Sequence, residues 1–178
     1  MGSNPQEGLL EPMEFEHDPS SRKKKGAHRP VFAEVFQLEG ESVDLPKKVH
    51  LLVNPYSGKK KGRAVAQRVI ELVKEAGVEI QSSYSAYSGH LVTMASALVV
   101  GKNEVIAVVG GDGSLSEAIT GRMLLGKKGK ETFAIIPAGT GNSHAHDLKL
   151  SSVEQAVEAM LRGHRHALDL ARVELTEG

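Results

Sequence analysis

The chain has 178 residues, a formal net charge of zero, no cysteine, no tryptophan and 4% aromatic residues. That length holds one ordinary domain with a real core plus some tail. Balanced charge and scarce aromatics give no support to a nucleic-acid partner, and the absence of cysteine excludes disulfides and thiolate metal sites.

Residues 1–46 read as a flexible polar tail, with Pro5, Pro12, Pro19, Pro30 and Pro46 and no sustained period. Inside it, Arg22-Lys23-Lys24-Lys25-Gly26-Ala27-His28-Arg29 is either a solvated charge run or a contact for acidic lipid or a nuclear signal. Val31 to Leu38 has the composition of a short accessory strand. Gly2 does not complete a myristoylation signal, because Gln6 stands where Ser or Thr is needed. No signal-peptide core opens the chain, and no apolar run is long enough to span a bilayer. A cytoplasmic location is expected.

From Val49 the pattern alternates strand and helix. Val49 to Asn54 is a first strand. Arg63 to Ala76 is a helix with Val65, Val69, Leu72, Val73 and Ala76 on one face and Gly77 as its stop. Val78, Ile80 and Tyr84 mark a half-buried second strand, and Leu91 to Val100 a second helix. Val105-Ile106-Ala107-Val108-Val109 is a continuous apolar run, as in a buried parallel strand. A helix follows from Ser114 to about Leu125, with Ser114 and Glu117 in capping-box spacing. Phe133 to Ile136 is a fourth strand stopped by Pro137. Ser151 to Arg162 is a helix with a second capping box, Ser151 and Glu154. Ala167 to Leu175 is expected as a final strand. Such alternation implies a doubly wound, Rossmann-like parallel α/β sheet with helices on both faces. Ligands of such sheets bind beyond the carboxyl ends of the strands.

Three loops fall at those ends. The sharpest is Gly110-Gly111-Asp112-Gly113-Ser114, where three glycines in four residues allow backbone N–H groups to approach a ligand at a helix entrance. Asp112 repels phosphate there unless it handles a proton or a metal ion. It is therefore functional, or else a turn-former of the common local kind. After the first strand comes Asn54-Pro55-Tyr56-Ser57-Gly58-Lys59-Lys60-Lys61-Gly62, whose lysines either neutralise phosphate or form a solvated helix entrance. After the fourth comes Pro137-Ala138-Gly139-Thr140-Gly141-Asn142-Ser143. Three donor-rich glycine loops on one rim predict a polyphosphate site. No G-x-x-x-x-G-K-[ST] is present and no G-x-G-x-x-G follows a strand, so neither a P-loop NTPase nor an ordinary dinucleotide domain is indicated.

The stretches "NPYSGKKKG", "GGDGSLSEAITG" and "PAGTGNSHAHDL", in this order and at these distances, resemble the catalytic domain of diacylglycerol kinases, sphingosine kinases and related bacterial lipid kinases. The resemblance covers roughly Val49 to Val173, and "SAYSGH" (Ser85 to His90) is similar to the family's segment before its second helix. A GGDG turn alone is less specific, because NAD kinases and phosphofructokinases have similar turns. Residues 47–178 are thereby expected to be a diacylglycerol-kinase-type nucleotide-binding domain, truncated before the family's second, β-rich domain.

The resemblance implies phosphorylation of a lipid hydroxyl (diacylglycerol, sphingoid base or ceramide) with ATP and Mg²⁺, by a protein peripheral at a membrane surface. It implies nucleotide-binding roles for Asn54, Ser57, Gly58 and Lys59; for Gly110, Gly111, Gly113, Ser114 and Glu117; and for Gly139, Thr140, Gly141 and Asn142. It implies that Asp112 is the general base on the lipid hydroxyl, or the organiser of magnesium-bound water. It implies that Asp169 lies near the lipid head group, its alternative being a strand-edge carboxylate. Glu117 is equally explained as a helix cap. Departures are Ser114 for a commoner threonine, Thr120 for asparagine, and His144 and His146 for an aromatic and an arginine. The pairs His144/His146 and His164/His166 lack a supporting carboxylate spacing, and no metal ligand set is assigned. Leu168 and Leu170 are expected in the core, leaving no acyl-chain pocket visible. Two other readings stand beside the lipid kinase: a kinase of a soluble substrate such as NAD, and a non-catalytic nucleotide- or partner-binding remnant.

Overall fold

The computed structural model describes residues 44–126 and 131–171. Four strands, β1 (Lys48–Val53), β2 (Glu79–Tyr84), β3 (Glu104–Gly110) and β4 (Thr132–Pro137), make one parallel sheet in the order β2-β1-β3-β4. Five helices accompany them among the described residues, α1 (Gly62–Glu75), α2 (His90–Ala97), α3 (Asp112–Met123), α4 (Ser143–Asp147) and α5 (Val153–Leu161), beside a four-residue irregular turn at Ser57–Lys60. The tail's first 43 residues, with the basic cluster and the Val31–Leu38 strand, lie outside the described residues.

β1 and β3 are the interior strands and are buried along nearly their whole length. That is why both read as apolar runs instead of alternating ones. Their side chains feed two cores. Val49, Leu51, Val53, Val105, Ala107 and Val109 pack with α1 and α5 on one face. Leu52, Ile106 and Val108 pack with α2, α3 and Ala145 of α4 on the other. The result is the expected doubly wound α/β architecture. β2 is a sheet edge and half exposed, in keeping with its polar Glu79, Gln81, Ser82 and Ser83.

Four expectations are corrected. First, residues 167–171 form no strand, and Leu168 and Leu170 are 61% and 53% exposed instead of core. Their alternation suits a strand, but the segment has no ladder partner among the described residues; Arg172 to Leu175 lie outside them. Second, α3 starts at Asp112 with Gly111 as N-cap, so Ser114 is already inside the helix and the Ser114–Glu117 capping box does not form. Third, the cap of α5 is Ser152, whose Oγ accepts from the Gln155 N–H, while Gln155 Oε1 accepts from Ser151. The box is shifted by one residue, because Glu154 is turned to Arg68 at 3.0 Å. Fourth, α2 ends at Ala97 and not Val100. The Arg122 guanidinium takes the Ala95 and Leu98 carbonyls at 2.8 and 2.7 Å, and Leu98 turns extended.

Candidate functional site

β1 connects outward to β2, and β3 connects outward to β4 on the other side. The carboxyl ends of β1 and β3 are therefore the point where the winding reverses, the usual ligand crevice of an open α/β sheet. The register puts Val53 beside Val109 and Gly110 beside Pro137. The three predicted loops thus leave one rim at one level.

They are also locked to each other. Asn54 Nδ2 donates to Ser114 Oγ at 3.1 Å, joining the first loop to α3, while its Oδ1 accepts from the Tyr56 N–H. Gly58 is left-handed (φ 56°), and a Cβ on it would lie 2.0 Å from the Ala138 carbonyl oxygen of the third loop. The Gly110 carbonyl accepts from the N–H groups of Ala138 and Gly139. A Cβ on Gly111 would stand 2.7 Å from the Gly141 oxygen. Asn142 closes the third loop on itself, accepting from the Gly139 N–H and donating to the Gly139 carbonyl. Several of the predicted donors are thus occupied in building the rim. Those left at its surface are Lys59, Gly113, Thr140 and Gly141, all exposed. Lys59 and Lys60 follow Gly58 in left-handed conformation, φ 60° and 69°. Non-glycine residues adopt it at a penalty of roughly 1–2 kcal/mol each. Such strain concentrates at binding sites.

Asp112 sits at the first position of α3, and α4 determines what its carboxylate can do. Ser143 N donates to Oδ2 at 2.9 Å, His144 N donates to Oδ1 at 3.1 Å, and His144 Nδ1 lies 2.9 Å from Oδ1. The carboxylate thus caps the N-terminus of α4 from a neighbouring helix. The His144 ring first, and then the two backbone N–H groups, hold its pKa well below the usual carboxylate range. It is ionised at any working pH and is a weak base in the ground state. α4 was not foreseen. It is five residues long, too short for a 3.6-residue period to show, and its signal was Asn142 at the cap with Ala145 facing the core.

Glu117 accepts from the Gly89 N–H at 3.1 Å and so ties α3 to the turn before α2. That turn is the "SAYSGH" stretch. His90 Nδ1 accepts from the Ala86 N–H, and the Tyr87 and His90 rings stack with centroids 4.5 Å apart. Asp169 is exposed, and its neighbours Leu170 and Ala171 line the same groove as Asp112 and His144. No group of three or more His, Asp or Glu side chains that could hold a metal ion occurs among the described residues. None of their helices is long and apolar enough to cross a membrane.

The family model of the diacylglycerol kinase catalytic domain matches residues 48–173. Sphingosine kinase B of Dictyostelium discoideum is 32% identical over 133 residues, which cover 72% of this chain and 17% of that protein. Sphingosine kinase 1 of Arabidopsis thaliana is 28% identical over 82% of this chain and 32% of its own length. A diacylglycerol kinase of Mycobacterium tuberculosis is 30% identical over 74% of this chain and 42% of its own length. Among solved structures, a diacylglycerol kinase from Bacillus anthracis superposes with a TM-score of 0.56 at 25% identity, over 67% of this chain and 43% of that one. The chain therefore spans less than half the length of each of these relatives.

Proposed function

The chain belongs to the diacylglycerol kinase catalytic domain family, a family of lipid kinases, and from that premise we propose that it is the nucleotide-binding half of an ATP-dependent kinase of a lipid hydroxyl. The observation that carries the proposal is the junction at Asp112. An ionised carboxylate stands at the head of the glycine turn, with three cross-locked donor loops around it.

Phosphoryl transfer needs positioning and charge neutralisation more than covalent help. The exposed Gly113 backbone, Thr140 and Gly141 receive the phosphate oxygens, and Lys59 supplies positive charge. Asn54, Ser57, Gly58, Gly110, Gly111, Ser114, Gly139 and Asn142 hold those donors in place, and Glu117 fixes the neighbouring turn. Asp112, kept ionised by His144 and Ser143, orients the acceptor hydroxyl. Being weakly basic, it takes the proton only as the new P–O bond nears completion. A magnesium ion arriving with ATP would be held by phosphate oxygens and water. The described side chains do not by themselves make a cage for it, and when bound it would supply charge neutralisation on the triphosphate. Asp169 is assigned to the lipid head group, and the protein acts at a membrane surface.

Two measurements test this. Calorimetric titration of the chain with Mg·ATP is expected to show binding, and Asp112→Asn is expected to leave the affinity within several-fold. A folded chain that binds no nucleotide overturns the nucleotide reading. Radiolabelled ATP offered with diacylglycerol, sphingosine or ceramide in mixed micelles, beside NAD in solution, tests the acceptor. Label on NAD and on no lipid overturns the lipid reading.

A further inference from the structure

The carboxylate of Asp112 has about four lone-pair sites, two on each oxygen. Both sites on Oδ1 are filled, by the His144 backbone N–H at 3.1 Å and by the His144 ring at 2.9 Å. One site on Oδ2 is filled, by the Ser143 N–H at 2.9 Å. The last, also on Oδ2, meets only the weaker approach of the Ser143 hydroxyl, a rotor that can turn aside. The ring is held in one sense. An ionised oxygen facing Nδ1 requires a proton on that nitrogen, so Nε2 is the bare nitrogen of the neutral imidazole. Nε2 has no partner among the described residues, and the side chain is 53% exposed on the groove that Asp112 also lines.

We propose that His144 is a positioning residue for phosphoryl transfer: by filling Oδ1 it confines the acceptor hydroxyl to Oδ2, and by its own charge it sets how readily Asp112 takes the hydroxyl proton. The proposal rests on the kinase reading and adds a second side chain to its proton step. In that step the hydroxyl O–H breaks as the same oxygen bonds the γ-phosphorus and the bond to the ADP oxygen breaks. The proton goes to Oδ2 and from there to water. A neutral ring is a fixed donor at Oδ1. A charged ring is an imidazolium bound to a carboxylate, which favours the ionised form of Asp112 further and makes it a poorer base. Transfer should therefore slow as the ring gains its second proton. Asp112 is the ionised group bonded to that ring among the described residues. The other charged or titratable side chains of the surrounding elements are directed elsewhere or exposed. On α3, Glu117 is turned to the Gly89 N–H and Arg122 to Glu131. His146 and Asp147 of α4 and Asp169 of the C-terminal segment are exposed.

The test compares the wild-type chain with His144→Asn and His144→Phe. Asparagine presents Nδ2 where the ring presents Nδ1, and it does not titrate. Phenylalanine keeps a ring and donates nothing. Position 144 is exposed, so both variants should fold, as thermal melts will show. NMR of the ¹⁵N-labelled ring is expected to find the proton of neutral His144 on Nδ1, and to lose that preference in Asp112→Ala. A neutral ring protonated on Nε2 overturns the proposal. Transfer from radiolabelled Mg·ATP to 1,2-dioctanoylglycerol and to sphingosine is then followed against pH. His144→Phe should lower kcat at least about tenfold, part of the roughly 10²- to 10⁴-fold that a positioned base contributes, with KM for ATP within about threefold. His144→Asn should recover most of that loss and should lack the one-proton acid limb of the wild-type profile. A side chain that merely caps α4 would leave kcat and profile alike in every folded form. That result overturns the proposal and leaves the kinase reading standing, as does an acid limb that persists in His144→Asn. A wild-type chain that binds Mg·ATP and shows the Nδ1 proton, yet phosphorylates no acceptor, removes the kinase reading and the proposal with it.

Discussion

Gly111 and Gly113 stand two residues apart in one turn, and the space around them differs. A Cβ on Gly111 would push against the third loop, whereas nothing lies within 4 Å of a Cβ built on Gly113. Gly113→Ala is therefore expected to stabilise the fold by about 0.4–1 kcal/mol, because alanine restricts the unfolded chain and its Cβ meets nothing in the first turn of α3. If phosphate approaches that backbone, the same variant should weaken ATP binding severalfold. Thermal melts and calorimetry on one sample check both halves, and unchanged ATP affinity would remove Gly113 from the site. Gly111→Ala should lower stability and binding together. At the opposite end of the sheet, His50 Nε2 meets Glu104 at 2.7 Å, and the Gly101 N–H also donates to that carboxylate. Chiefly the His50 bond, and then the Gly101 bond, lower the Glu104 pKa from 4.5. A depressed carboxylate pKa stabilises the fold above the unfolded value, and that stability is lost as pH falls through the folded one. Stability should thus decline below about pH 4.5, and Glu104→Gln should flatten that limb of a urea-midpoint curve against pH.

Among the elements, α2 and α3 are joined most closely by Gly121 and Arg122. A Cβ on Gly121 would come within 2.2 Å of the Val92 carbonyl oxygen. Arg122, 2% exposed, holds two carbonyls at the end of α2 and grips Glu131 through both Nε and Nη2. Arg122→Ala leaves Glu131 short of its main partner and two carbonyls without this donor, so a loss of about 3–5 kcal/mol is expected. Arg122→Lys should rescue little, since an ammonium cannot reproduce the fork. Chemical denaturation measures both. This residue reads from sequence as an ordinary charge on a helix, because nothing local marks a guanidinium whose partners come from other elements. The interior strands, by contrast, were legible as continuous apolar runs, and α1 and α5 by their apolar faces. The three loops were legible through their glycines. What the loops do to one another was not, because contacts such as Gly58 against Ala138 depend on the sheet order. Nor was the hold of α4 on Asp112, which begins with two backbone N–H groups that carry no side-chain signature. The groove beside Asp112 was missed for a related reason: Leu168 and Leu170 were assigned to a core by their type, whereas both are exposed and Leu170 lines the groove.

At the scale of the whole molecule, every strand pair among the described residues is parallel, and β1 lies between β2 and β3. Lys48 faces Glu79 on one side and Glu104 on the other. Amide exchange should therefore be slowest in β1 and β3, and fast in β2, α4 and residues 164–171, where burial is slight. Mass-spectrometric exchange will rank them. The same pairing has a temporal side. No two neighbouring strands among the described residues can close as a hairpin, so during synthesis β1 waits for residues 79–84 before it gains the first of its described partners. It waits until about residue 110 before its second flank is covered. Until then an apolar strand with at least one open edge is exposed to whatever is nearby, which is the condition under which nascent chains associate wrongly. Refolding should be correspondingly slow, from milliseconds to seconds by stopped flow, against microseconds to milliseconds for a helical bundle. Yield should fall as protein concentration rises, and a lysine substituted on the exposed edge of β2, at Ser82, should recover part of it without altering the native state.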